Sequence, residues 1–173
     1  LVSALVGGLF GALIFSAGTA SAQSLNWEGQ TGVFVTPFAY TAAADAGKAG
    51  KPSIGYHFLN VGPYAGNFQT LNLTEGLGGV IEVGYTRVIH NKGSQAPLNT
   101  LWDSSFHIFH GKIKMVSENM NKNNWVPAIS LGFVARTGDH NVTGVLGNKD
   151  YSSADLYIVA TKTITQTKKV PVL

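Results

Sequence analysis

The sequence predicts an all-β chain laid out as an antiparallel meander. Apolar residues after Gln23 recur at period two, segment after segment. No stretch beyond Gln23 carries the i, i+3, i+4 stripe of an amphipathic helix. Segments rich in Gly, Asn, Asp, Ser and Pro, such as 45–52, 91–99, 118–124 and 138–153, separate the alternating runs and read as loops.

Taken in order, residues 1–22 stand apart. No charge occurs before Glu28, residues 1–15 are almost unbroken apolar, and small residues follow. Ala20-Ser21-Ala22 is the small-x-small pattern that signal peptidase accepts, so residues 1–22 read as a signal peptide with Gln23 as the mature N-terminus. The apolar run is shorter than the ~20 residues that span a bilayer, which disfavours a permanent anchor. Residues 32–40 form a short apolar run interrupted by Pro37, which cannot donate to a ladder. It reads as a first edge strand or as a segment lying inside the lumen of a barrel.

Clear strands follow. Ile54, Tyr56 and Phe58 alternate with Ser53, Gly55 and His57; Leu71 and Leu73 alternate with Thr70, Asn72 and Thr74. Gly76-Leu77-Gly78-Gly79 reads as a tight turn, since no Lys-Ser/Thr and no helix follow to make a phosphate loop. Ile81, Val83 and Tyr85 alternate with Glu82, Gly84 and Thr86 in a strand over 80–90. Phe109, Ile113 and Met115 alternate with His110, Lys112 and Lys114 in a strand over 104–115. Ile129, Leu131 and Phe133 alternate with Ser130, Gly132, Val134 and Arg136 in a strand over 125–137. Residues 154–165 are rich in β-branched and aromatic side chains, and a further strand starts at Val170. The chain begins without Met and ends within that apolar run, so residues 23–173 are expected to be a barrel domain truncated at its C-terminus.

Composition narrows the class. Charged residues are 12% of the 173, about half the ~25% of an ordinary soluble domain. There is no cysteine, which excludes a disulfide scaffold and a thiolate metal site, and the net charge of +3 is scattered, which gives no footprint for nucleic acid. A half-apolar strand suits either a soluble sandwich or an outer-membrane barrel. The barrel is favoured by strands near the ~9–11 residues that a membrane strand needs. Non-apolar faces made of Gly, Ser, Thr and few charges favour it too. Trp102 and Trp125 near the starts of successive strands would fall in opposite aromatic girdles. Longer connections also tend to alternate with shorter ones.

Certain stretches carry a resemblance. Thr36-Pro37-x-Ala39, residues 79–87 (GVIEVGYTR), Trp125-x-Pro127-x-Ile129-x-Leu131-Gly132, and Lys149-Asp150 followed by Asp155-x-Tyr157-x-Val159-Ala160-Thr161-Lys162 are similar to those of uncharacterised bacterial outer-membrane β-barrel families. One is a domain-of-unknown-function family of exported proteins, and another is associated with exopolysaccharide biosynthesis. The resemblance spans about residues 29–165. It implies an outer-membrane barrel with a role in polysaccharide export, and it supplies no catalytic residues. The chain departs from such barrels in lacking a final strand that ends in an aromatic residue.

The residues expected to face the lumen are Glu82, Arg136, Lys112, Lys114, His57 and His90. Charges inside a small barrel must pair or meet water, so Glu82 is expected to have a cationic partner among Arg136, Lys112 and Lys114. His107 and His110, three apart, fall on opposite faces of a strand, and a metal site there would need a β-bulge near Ile108-Phe109. Ser105, His107 and Asp103 contain the residue types of a hydrolytic triad, but no nucleophile motif accompanies them. The sequons at Asn72 and Asn141 are assigned no function. The expected role is transport, export or structural support in the bacterial outer membrane, without catalysis, metal or cofactor. Its partners would be outer-membrane lipid and a polysaccharide or small solute, and not nucleic acid. A secreted or periplasmic β-sandwich that binds a ligand is the first alternative, and a barrel enzyme acting on lipid the second.

Overall fold

The computed structural model describes residues 24–96, 99, 105–138 and 152–164. The leader expected over 1–22 lies outside these residues. So do Trp102, Asp103, the Asn141 sequon, the Lys149-Asp150 stretch and the strand start at Val170.

Two short strands, β1 (Gly32–Val33) and β2 (Thr36–Pro37), pair only with each other. Residues 32–40 are therefore no edge strand of the main sheet. Six longer strands form one antiparallel sheet in sequential order: β3 (Ser53–Asn60), β4 (Asn67–Leu77), β5 (Ile81–Asn91), β6 (Phe106–Val116), β7 (Ala128–Gly138) and β8 (Ser153–Thr161). The β3 and β8 edges do not pair with each other, so the described sheet is open and not a closed barrel. A four-residue helix, α1 (Gly62–Ala65), bridges β3 and β4, and a 3-10 turn at Met120–Lys122 lies between β6 and β7.

Turn chemistry fixes the hairpins. Gly78 and Gly79 both take positive φ, 60° and 70°, between β4 and β5. A tight turn with two left-handed central residues matches the twist of the flanking strands, and glycine enters it without steric cost. The chain leaves β3, β5 and β7 at one end of the sheet. The connections 78–80 and 117–127 lie at the other, where the chain enters β3.

The faces of the sheet are inverted relative to a soluble domain. One face is open, and two of its register rows are wholly apolar, while the row Tyr56, Leu71, Arg87, His107, Thr137 is mixed. Ile54, Leu73, Tyr85, Phe109, Ala135 and Ala154 form one row; Leu77, Ile81, Ile113, Leu131 and Ile158 form another. Most of their large side chains are exposed, Ile54 at 75% and Ile158 at 73%. The other face is covered and largely polar: Thr70, Asn72, Thr74, Glu82, Thr86, His110, Lys112 and Ser130 are all buried. Its apolar part is a small cluster of Val88, Ile108 and Val134, flanked by Phe68, Phe106 and Tyr157.

Residues 24–50 make the cover. They contain little regular structure beyond the β1–β2 hairpin, so side chains reaching up from the sheet define their path. Asn72 Nδ2 donates to the Asn26 carbonyl (2.9 Å), Thr74 to that of Gly29 (2.5 Å), Thr86 to that of Glu28 (2.9 Å) and Ser130 to that of Ala39 (2.5 Å). Trp27 packs against His57 of β3, while Gln30 and Ala39 bond Tyr157 and Thr161 of β8. One segment thus touches all six strands.

Candidate functional site: the polar face of the sheet

The centre of the covered face is a register row running Gly76, Glu82, Lys112, Gly132, Tyr157 across β4 to β8. Glu82 and Lys112 are direct cross-strand partners, and the ammonium lies 3.1 Å from Oε1 with both side chains wholly buried. Buried charges need their remaining lone pairs and protons satisfied. Glu82 Oε1 also accepts the Thr31 N–H (3.1 Å), and Oε2 accepts the Ala42 N–H (2.7 Å). The Thr31 hydroxyl accepts from Lys112 (2.6 Å) and places its one proton between Glu82 Oε2 (2.8 Å) and the Tyr40 carbonyl (2.5 Å). Lys112 donates further to the Phe38 carbonyl at 2.9 Å. A carboxylate has about four acceptor sites, and all are used here.

The glycines of the row permit this approach. A Cβ on Gly76 would stand 2.0 Å from the Ala42 carbonyl oxygen, so the residue beside Glu82 must be glycine for the segment to come within bonding distance. A Cβ on Gly132 would meet the Tyr157 ring at 2.3 Å. On the open face Gly111 has the same relation to the Phe133 ring, at 2.5 Å. In both cases an aromatic side chain lies over its glycine register partner on the neighbouring strand.

The other sequence-derived candidates share the covered face but not the pair. Arg136 turns to Glu28 of the covering segment, with Nε 2.8 Å from Oε1, and to Asp155 on β8. Lys114 is half-buried and makes no ion pair with the described residues. His57 lies under Trp27, their ring centroids 5.9 Å apart. His90 stacks on Phe68 at 4.2 Å, and its Nε2 meets the Ala65 carbonyl at 2.7 Å. His110 stands near the pair, its Nε2 3.9 Å from Glu82 Oε1, and neither ring nitrogen has a hydrogen-bond partner. Thr70 Oγ1, Asn72 Oδ1, His57 Nε2 and His90 Nδ1 are likewise buried without one. Partly satisfied polar groups of this kind are positions that water commonly fills.

His107 occupies the open face, bonded to Tyr85 (2.7 Å) and Arg87 (2.6 Å). The β5–β6 and β6–β7 ladders run without a bulge at Ile108-Phe109; the one register shift lies at Lys114/Val116. His107 and His110 therefore stay on opposite faces. Among the described residues no cluster of three or more His, Cys, Asp or Glu is placed to hold a metal.

At the end of the sheet near the 117–127 connection, Glu118 ties three segments together. It accepts the Tyr40 hydroxyl and the Thr163 N–H, each at 2.7 Å, and pairs with Lys162 at 3.2 Å. The Tyr40 hydroxyl, the Thr163 amide and Lys162 together hold its carboxyl down to about 2. Burial raises the Tyr40 phenol above its ordinary value. The sequence reading missed Glu28, Thr31 and Glu118, because they lie outside the alternating runs, where only tertiary contact assigns a partner.

No family model, curated protein or solved structure matches this chain.

Proposed function

We propose that this chain contributes a lipid-facing sheet to a bacterial outer-membrane β-barrel, with residues 24–50 lying in its interior. The observation that carries the reading is the polarity of the two faces. An open face whose rows toward the 78–80 end are mostly Ile, Leu, Val and Phe is unfavourable in water, where exposed apolar patches of this kind mark contact with a partner or a membrane. A sheet whose covered face is hydroxyl, amide and charge is unfavourable as a soluble core. Both become favourable when the open face meets lipid and the polar face lines an interior.

The dimensions agree. Strands β4 to β7 are 11 residues each. At ~3.3 Å per residue and a tilt near ~40°, such a strand rises ~28 Å, close to the ~25 Å apolar band of such barrels. No helix among the described residues is long and apolar enough to cross a membrane. Short turns face the periplasm in such barrels, and the three-residue connection 78–80 supports that side for the end it shares with 117–127. The exposed Trp125 would stand in the girdle there. The role that follows is transport, export or structural support in the envelope. The family resemblance adds polysaccharide export, a small solute being the other candidate cargo, and export would be directed by residues 1–22, with cleavage after Ala22.

Fractionation with heat-modifiable gel mobility tests the reading. The protein should sediment with outer membranes and migrate faster unheated than boiled. Recovery in the soluble periplasmic fraction would favour the sandwich alternative, with a partner covering the apolar face.

A further inference from the structure

We infer that residues 24–42 form a displaceable plug over the polar face, latched at Glu82, and that its release opens a path for hydrophilic solutes. Three observations lead there. First, little of the segment's adhesion is apolar. Its fully buried apolar residues are only Ala39 and Ala42, Leu25 and Trp27 lie half-buried over Gly55 and His57 of β3, and the apolar cluster of this face belongs to the strands themselves. Lifting the segment would expose mainly hydroxyl and amide groups, which water satisfies as well as the segment does.

Second, the fit is chemically incomplete. Thr70, Asn72 and His110 each keep a buried polar atom without a partner beneath the cover. Water reaching the face would satisfy them, which favours the open form.

Third, what opposes release is concentrated. Glu82 holds the segment at two places eleven residues apart, through the Thr31 N–H and hydroxyl and the Ala42 N–H, and Lys112 adds bonds to Thr31 and Phe38. The other charged tie, Glu28 to Arg136, and the Tyr40–Glu118 and Gln30–Tyr157 bonds involve partly exposed side chains and hold weakly. Asn72, Thr74, Thr86 and Ser130 each hold by a single neutral hydrogen bond to a carbonyl, which water replaces once the latch is open. Gly76 is what lets Ala42 reach the latch.

The proposal rests on the covered face being an interior, and the test separates the two. The chain has no cysteine, so single reporters are clean. Thr70→Cys sacrifices no hydrogen bond, because Thr70 Oγ1 has none, and Ser130→Cys, which gives up the bond to the Ala39 carbonyl, is a second reporter compared only with its own latch-intact rate. In detergent micelles, a charged, membrane-impermeant methanethiosulfonate should label either reporter slowly. Adding Glu82→Gln, or the nearly isosteric Thr31→Val, should raise the rate at least tenfold while circular dichroism shows the sheet retained. Fast labelling of both reporters with the latch intact, or unchanged slow labelling in the folded Thr31→Val variant, would overturn the plug. A cysteine at Phe133 on the open face, read with a lipid-soluble reagent in vesicles, reports the membrane reading independently.

Discussion

The Glu82 carboxylate and the Lys112 ammonium stand 3.1 Å apart as direct register partners on β5 and β6, entirely out of solvent. Their position is the inner side of strands whose outer side is Ile81, Val83 and Ile113. A two-residue period dictates this: any slip of one residue would put the pair on the open face and the isoleucines beneath the cover.

Breaking the pair should cost more than removing it. Glu82→Gln leaves Lys112 buried without a counter-charge and should destabilise by about 3–5 kcal/mol. The double variant Glu82→Gln/Lys112→Met should recover most of that loss. Denaturant titrations of the four corners of this cycle in micelles check it, and additive single effects would deny the coupling.

Arg136 should couple the covering segment to β7. Truncation to alanine removes its bonds to Glu28 and Asp155. These side chains are partly solvated, so the Arg136–Glu28 coupling energy should be about 1 kcal/mol or less. A double-mutant cycle with Glu28→Ala measures it.

Glycines facing aromatic partners should tolerate no side chain. Gly132→Ala places a methyl 2.3 Å from the Tyr157 ring and must push it off Gln30. The expected cost is about 1–3 kcal/mol, the range for overpacking. Adding Tyr157→Leu should remove most of that penalty in thermal melts, because the clash is with the ring.

Acid should loosen the Tyr40–Glu118–Thr163 tie. The folded carboxyl is held at about 2, below its ordinary 4.5. A depressed folded value means that Glu118 stabilises fully above pH 4.5 and that this stabilisation is lost as pH falls from 4.5 towards 2. Melting temperature should fall over that window, and Glu118→Gln should flatten this part of the profile. An unaltered profile in that variant would assign the acid sensitivity elsewhere.

The parity of the strands was legible because alternation is local. Ile81, Val83, Leu131 and Phe133 declare one face by themselves, and Glu82, Lys112, His57 and His90 follow onto the other. Strand ends shifted by up to four residues; β8 ends at Thr161 rather than 165, and β7 begins at Ala128 rather than 125 because Trp125 and Pro127 belong to the preceding turn. The cover was not legible. Its path depends on Thr74, Thr86 and Ser130 reaching its carbonyls, and carbonyls carry no sequence signature. Arg136 could not be separated from Lys112 as the partner of Glu82 without the register that sets Arg136 opposite Ser153 and Lys112 opposite Glu82.

Spin labels on β7 test the inverted sheet most directly. Leu131 and Phe133 lie on the open apolar face, and Ser130 and Val134 lie on the covered face. In reconstituted bilayers, labels at 131 and 133 should be relaxed strongly by oxygen and weakly by a water-soluble nickel chelate, while labels at 130 and 134 should show little oxygen effect. Equal access of the chelate to both sets would contradict a lipid-facing sheet.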